Sequence, residues 1–110
     1  MKTEDLKRFR TALVRAANKH IKSGGKIIQY GFRTTNNKNF CPIGAYVGAK
    51  KMDGTGDWLE PVYKKFNMTG AELWLFVRAF DHDVLSFGLK DPVTELGREL
   101  RTKYIKETKK

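Results

Sequence analysis

A chain of 110 residues that is 40% hydrophobic and 12% aromatic can bury an ordinary core as one domain, and it is too aromatic to stay disordered. Its single cysteine excludes an intramolecular disulfide and a cysteine-based zinc site, and no apolar run approaches the ~18 residues of a membrane-spanning helix. The net charge of +10 sits wholly in the first half: residues 1–52 hold twelve bases against Glu4 and Asp5, whereas residues 53–110 hold ten of each sign. Such asymmetry predicts an oriented basic surface facing an anionic partner, with plain basic solubility as the alternative. The start, Met1-Lys2-Thr3-Glu4-Asp5, is polar and lacks a secretory signal pattern, so a cytoplasmic location is expected.

A first helix is predicted from about Glu4 to Lys22. Thr3 is placed to cap it, Glu4 and Asp5 suit its first turn, and Gly24-Gly25 ends it. Leu6, Phe9, Leu13, Ala16, Ala17 and Ile21 share one side; Lys7, Arg8, Arg15, Lys19 and Lys22 share the other. A solvated face is the common fate of such a row. Here no acid follows Asp5 on that face, so its mutual repulsion stands unrelieved and use by an anionic partner is expected. His20 falls near the apolar side, where a structural role at the helix end is expected.

Lys26 to Arg33 has the β-branched and aromatic residues of a short extended segment, and a polar loop follows it. A two-stranded ribbon with Phe40 on the return side is compatible with this pattern. Arg33 and Lys38 extend the basic half into that loop. Pro42 then suits the first position of a second helix. Gly44, Ala45, Gly48 and Ala49 give this helix a face of small side chains, expected to receive the large residues of 74–80. Cys41 stands at its start, where a helix N-terminus can lower a thiol pKa. No motif supplies a catalytic histidine, so a buried, inert thiol is expected.

Lys50 and Lys51 open a loop in which Asp53 and Asp57 do not meet calcium-loop spacing. A third helix is predicted from about Pro61 to Phe66, with Val62, Tyr63 and Phe66 inward and Lys64 and Lys65 outward. Thr69 and Glu72 have capping-box spacing and open the helix that runs to Phe80. Trp74, Leu75, Phe76 and Val77 point in four directions at ~100° per residue, so this helix is expected to be central and walled in. Helix, short turn and capped helix outline a helix-turn-helix. A recognition helix presents polar and basic side chains to base edges, and this one presents Trp74 and Leu75, so groove reading through it is rejected. Asp81, His82 and Asp83 are read as a solvated helix exit rather than a metal or acid–base site. Asp91-Pro92 starts a last helix with Val93, Leu96, Gly97, Leu100 and Tyr104 inward and Arg98, Arg101, Lys103 and Lys106 outward.

Three segments resemble a loosely defined group of small bacterial and phage proteins. They are Cys41-Pro42-Ile43-Gly44-Ala45, the Trp74–Asp81 helix ending in Phe-Asp, and Leu96-Gly97-x-x-Leu100-Arg101-x-x-Tyr104. The resemblance implies a compact helical fold and carries over no activity.

The fold expected is therefore all-α: about five short helices around a central apolar one, with a small ribbon near residues 26–40. No nucleotide fingerprint, phosphate-binding glycine loop or metal cluster is visible, so no cofactor and no enzymatic activity are expected. The first functional expectation is nucleic-acid binding through Lys7, Arg8, Arg15, Lys19 and Lys22, helped by Lys26, Arg33, Lys38, Lys50 and Lys51. The alternative is a protein-interaction module or inhibitor that docks the same face on an acidic protein.

Overall fold

The computed structural model describes residues 1–34, 36, 38–52, 57–82 and 91–105. The fold is mostly helical. Six helices and one pair of short strands occur among the described residues: α1 (Thr3–Lys22), β1 (Lys26–Ile27), β2 (Asn39–Phe40), α2 (Pro42–Val47), α3 (Ala49–Met52), α4 (Glu60–Lys65), α5 (Gly70–His82) and α6 (Pro92–Ile105).

The helix ends follow local chemistry. α1 opens with Lys2 outside it and no side-chain cap, so Thr3 is the first helical residue rather than the cap. At its other end Gly24 takes φ +98°, its N–H reaches the Ile21 carbonyl and the Gly25 N–H reaches that of His20. This closes the helix in a Schellman turn. Asn67 does the same for α4 with φ +54°: its N–H donates to the Lys64 carbonyl and that of Met68 to Tyr63. The capping box of α5 forms as the spacing predicts. The Thr69 N–H donates to Glu72 Oε1 (2.8 Å), and the Glu72 N–H donates to Thr69 Oγ1 (3.0 Å). Asp91 caps α6 by accepting from the Val93 and Thr94 N–H groups, and Asp57 accepts from the Leu59 and Glu60 N–H groups in the turn that leads into α4.

The ribbon is present, but its strands run parallel, with Lys26 opposite Asn39 and Ile27 opposite Phe40. The hairpin-like reversal lies inside the connecting segment, where Arg33 and Phe40 form an isolated antiparallel bridge. Gly48, at φ +89°, divides the predicted second helix into α2 and α3, so Lys50 and Lys51 stand on a helical turn rather than in a loop.

Phe9 lies at the centre of the core. Its ring meets Phe66 and Phe76 edge-on, at centroid distances of 5.3 and 5.4 Å. Leu13, Ala17, Ile43, Leu73, Phe80, Val93 and Leu100 fill the surrounding space. α5 buries Leu73, Phe76, Ala79 and Phe80. It is not walled in on every side, because Trp74 is 50% exposed. α6 covers one flank of α5, and on the flank carrying Trp74 the neighbour is the short segment around Phe32.

The small-residue expectation also needs correction. A Cβ on Gly44 would fall 1.9 Å from the Phe32 carbonyl oxygen, so what approaches α2 is the backbone of the connecting segment. α5 instead closes on Gly97 of α6, where a Cβ would lie 2.7 Å from Ala79 Cβ and 2.8 Å from the Phe76 carbonyl oxygen. Arg98 and Arg101, expected outside α6, are partly covered, and Lys106 lies outside the described residues.

Replacing Gly97 by alanine therefore sets a helix-propensity gain of about 1 kcal/mol against overpacking of a helix backbone. The overlap with backbone atoms that cannot swing away dominates. Gly97→Ala is expected to lower stability by about 1–3 kcal/mol, read as a fall in melting temperature. Gly31→Ala, whose Cβ would have its nearest contact at 3.9 Å, is expected to change it by less than about 0.5 kcal/mol.

Candidate nucleic-acid interface

Two open grooves meet on the surface formed by α1, α2, α3 and α4. One, of about 380 Å³, lies along α1 and is lined by Lys7, Arg8, Thr11, Arg15, Tyr46, Lys65 and Phe66 among others. The second, of about 580 Å³, is lined by Tyr46, Val47, Lys50, Lys51, Trp58, Pro61, Val62 and Lys65. Tyr46 and Lys65 belong to both, so the grooves form one continuous surface. It carries six cations and no acid among its described lining residues.

Five of the ten predicted binding residues come together here: Lys7, Arg8 and Arg15 from α1, and Lys50 and Lys51 from α3. Lys19 and Lys22 are exposed and continue the α1 row, since positions 8, 15, 19 and 22 share one face over roughly 21 Å of helix. Lys26 and Lys38 are exposed on the ribbon and its turn, outside the grooves. Arg33 is half-buried at the bridge to Phe40 and engages a further group of the chain.

Arg8 is more constrained than the sequence suggests. Asp5, expected in an exposed first turn, is buried, and its Oδ1 accepts from Arg8 Nη1 (2.9 Å) and Asn67 Nδ2 (3.3 Å). Arg8 also donates to the Lys65 carbonyl (3.2 Å) and sits 5.4 Å from the Phe66 ring centroid. This pins α1 to the end of α4. Among the described residues Lys7, Arg15, Lys19, Lys22, Lys50, Lys51 and Lys65 form no ion pair. The other flank of α1 differs. Arg10 Nε donates to Glu99 Oε2 (2.9 Å), which raises the arginine pKa and holds the Glu99 carboxyl below its ordinary range. That pair fastens α1 to α6 and takes Arg10 out of the basic face.

Lys65, Tyr46 and Trp58 are the site residues that sequence reasoning missed. Lys65 was legible only as an outward lysine, because residues 53–110 sum to zero charge and hide a local cluster. Its ammonium lies 5.9 Å from the Tyr46 ring centroid and 6.0 Å from that of Phe66. Trp58 stands edge-on to Phe32 at 4.9 Å.

A separate cleft of about 350 Å³ is apolar and includes Tyr30, Phe32, Trp74 and His82 in its lining. Asp81 serves structure there, accepting the N–H of Tyr30, which has φ +67°, at 3.0 Å. Gln29 Nε2 donates to the carbonyls of Phe80 (2.8 Å) and Asp81 (3.3 Å) at the end of α5. Asp53 and Asp83 lie outside the described residues, and no cluster of metal-ligating side chains occurs among the described ones. His20 packs edge-on against Phe40 at 4.9 Å, near the apolar side of α1 as expected. Among the described residues no helix is long and apolar enough to cross a membrane. No family model, curated protein or solved structure matches the chain.

Cys41 caps α2 through its sulfur, which accepts from the Gly44 N–H at 3.3 Å. Burial outweighs this and pushes the thiol pKa from 9.0 up to about 12. Above pH 9 the unfolded chain loses the thiol proton while the folded chain keeps it. The stability this group contributes is complete below the unfolded value and is lost as pH rises from about 9 to about 12. Iodoacetamide at pH 8 should therefore modify Cys41 only as fast as the protein opens. In urea titrations the stability advantage of the wild type over Cys41→Ala should shrink between pH 9 and 11.

Proposed function

We propose that this protein binds nucleic acid in the cytoplasm through the phosphate backbone, with the α1 row and the joined grooves as its binding surface. The observation that carries this reading is the convergence of Lys7, Arg8 and Arg15 with Lys50, Lys51 and Lys65 on a surface without an acid among its described lining residues. Five of these six cations lack a carboxylate partner among the described residues. Such a surface repels itself when bare, and condensed counterions offset the repulsion. Phosphates displace those counterions, so binding gains from their release and tolerates sequence. The flexible lysine stems suit this role, since each places a point charge without demanding one geometry.

The reading fixes a salt dependence. Contact of one phosphate with each of the eight cations of the row and grooves gives a slope of log K against log salt of about −6 to −7. Fluorescence anisotropy with mixed-sequence oligonucleotides across a salt series is expected to show it. The triple variant Arg15→Gln, Lys19→Gln, Lys22→Gln removes three exposed charges and should reduce the slope by about 2 to 3. An absence of binding at low salt would remove the reading and turn attention to an acidic protein as the partner of the same face.

A further inference from the structure

We infer that the groove between α2, α3 and α4 takes an unpaired nucleobase, so that the ligand class is single-stranded nucleic acid. This rests on the phosphate-binding reading above and adds a second kind of contact to it. A surface that held phosphates alone would need only charge. This one also presents Tyr46 and Trp58, both half-buried, beside Pro61. Each ring is backed by another. Trp58 stands edge-on to Phe32 at an interplanar angle of 89°, and Tyr46 leans on Phe66 at 5.8 Å. Rings held from behind lose little freedom when a base stacks on them. At about 580 Å³ the groove falls within the size of ligand pockets.

The lysines are arranged to suit the same ligand. Lys50 and Lys51 line the groove on the α3 side, and Lys65 stands beside Tyr46 at the junction with the α1 row. A strand laid along Arg15 and Lys65 would turn a base toward Tyr46 and Trp58 while its phosphates stay on the lysines. A duplex keeps its bases stacked inside and can offer none to the groove without unpairing, so it would gain only the phosphate contacts.

The test compares a thymidine oligonucleotide, its uridine RNA counterpart and an abasic oligonucleotide, all of one length and charge, with a duplex of half that length, which carries the same number of phosphates. The protein carries Trp74→Phe, which lies outside the groove and leaves Trp58 as the sole tryptophan. The base-bearing single strands are expected to bind at least tenfold tighter than the abasic strand and to quench Trp58 fluorescence. The abasic strand should quench little. Tyr46→Leu should bring base-bearing and abasic affinities together while leaving the salt slope unchanged, with its melting temperature showing that it remains folded. Preference for thymidine over uridine strands, or the reverse, tells DNA from RNA and supports the inference either way. Equal affinity for base-bearing and abasic strands without quenching would overturn the inference and leave the phosphate reading standing. Failure of every probe to bind at low salt would overturn both.

Discussion

The packing of Phe9 between Phe66 and Phe76 holds the basic surface in place. The ring is fully buried on α1 and meets the residue that ends α4 and the middle of α5. Edge-to-face aromatic pairs contribute about 0.5–1.5 kcal/mol beyond their buried area. More important here is their geometry. With Phe66 held against Phe9, the next residue back, Lys65, is set beside α1, and its carbonyl can accept from Arg8. Arg8 then covers Phe66, and the buried carboxylate of Asp5 holds the guanidinium from the side. Core and surface are continuous at this point. The charge row on α1 meets Lys65 of α4 because a hydrophobic contact beneath brings these two helices together.

Two kinds of charged residue share α1, and their partners separate them. Arg8 and Arg10 are engaged within the chain: the first is tied to Asp5 and the Lys65 carbonyl, the second to Glu99 of α6. Lys7, Arg15, Lys19 and Lys22 have no such ties among the described residues. Exposed ion pairs contribute little to stability, about 0–1 kcal/mol each. Their absence along this row therefore costs the fold little and leaves the charges available to a partner.

Much of the architecture was legible because it is written in short-range chemistry. The Thr69–Glu72 capping box, the Asp91-Pro92 helix start and the Gly24-Gly25 stop are local signals, and each forms as its spacing predicts. The apolar side of α1 was equally plain as far as Ala17, whereas Ile21, expected on that side, is exposed. What could not be read was which surfaces meet. Gly44 and Gly97 look alike as small residues in helices, yet one faces the Phe32 carbonyl and the other faces α5. Their partners are set by tertiary packing between residues far apart in sequence. The same holds for the grooves. Lys7, Arg8, Arg15, Lys50 and Lys51 were singled out by charge alone, while Lys65, Tyr46 and Trp58 became site residues only once α4 was placed against α1 and α2. Charge summed over half a chain misled here, because none of the described acids that cancel Lys65 in the count lines the surface it occupies.

Lys65 also explains why charge and aromatic rings occur together on this surface. Its ammonium lies near the faces of Tyr46 and Phe66, at 5.9 and 6.0 Å from their centroids. An exposed cation–π contact contributes about 0.5–1 kcal/mol, enough to bias a lysine side chain and too little to fix it. The ammonium of Lys65 therefore rests over the rings while the side chain stays exposed to solvent. On the proposed phosphate-binding reading, a phosphate along α1 would draw that ammonium off the ring with little loss, since charge-assisted contact with the phosphate would replace the ring quadrupole. The ring face uncovered in this way is apolar and already backed by Phe66. Phosphate contact and ring exposure would then be coupled through one side chain at the junction of the two grooves.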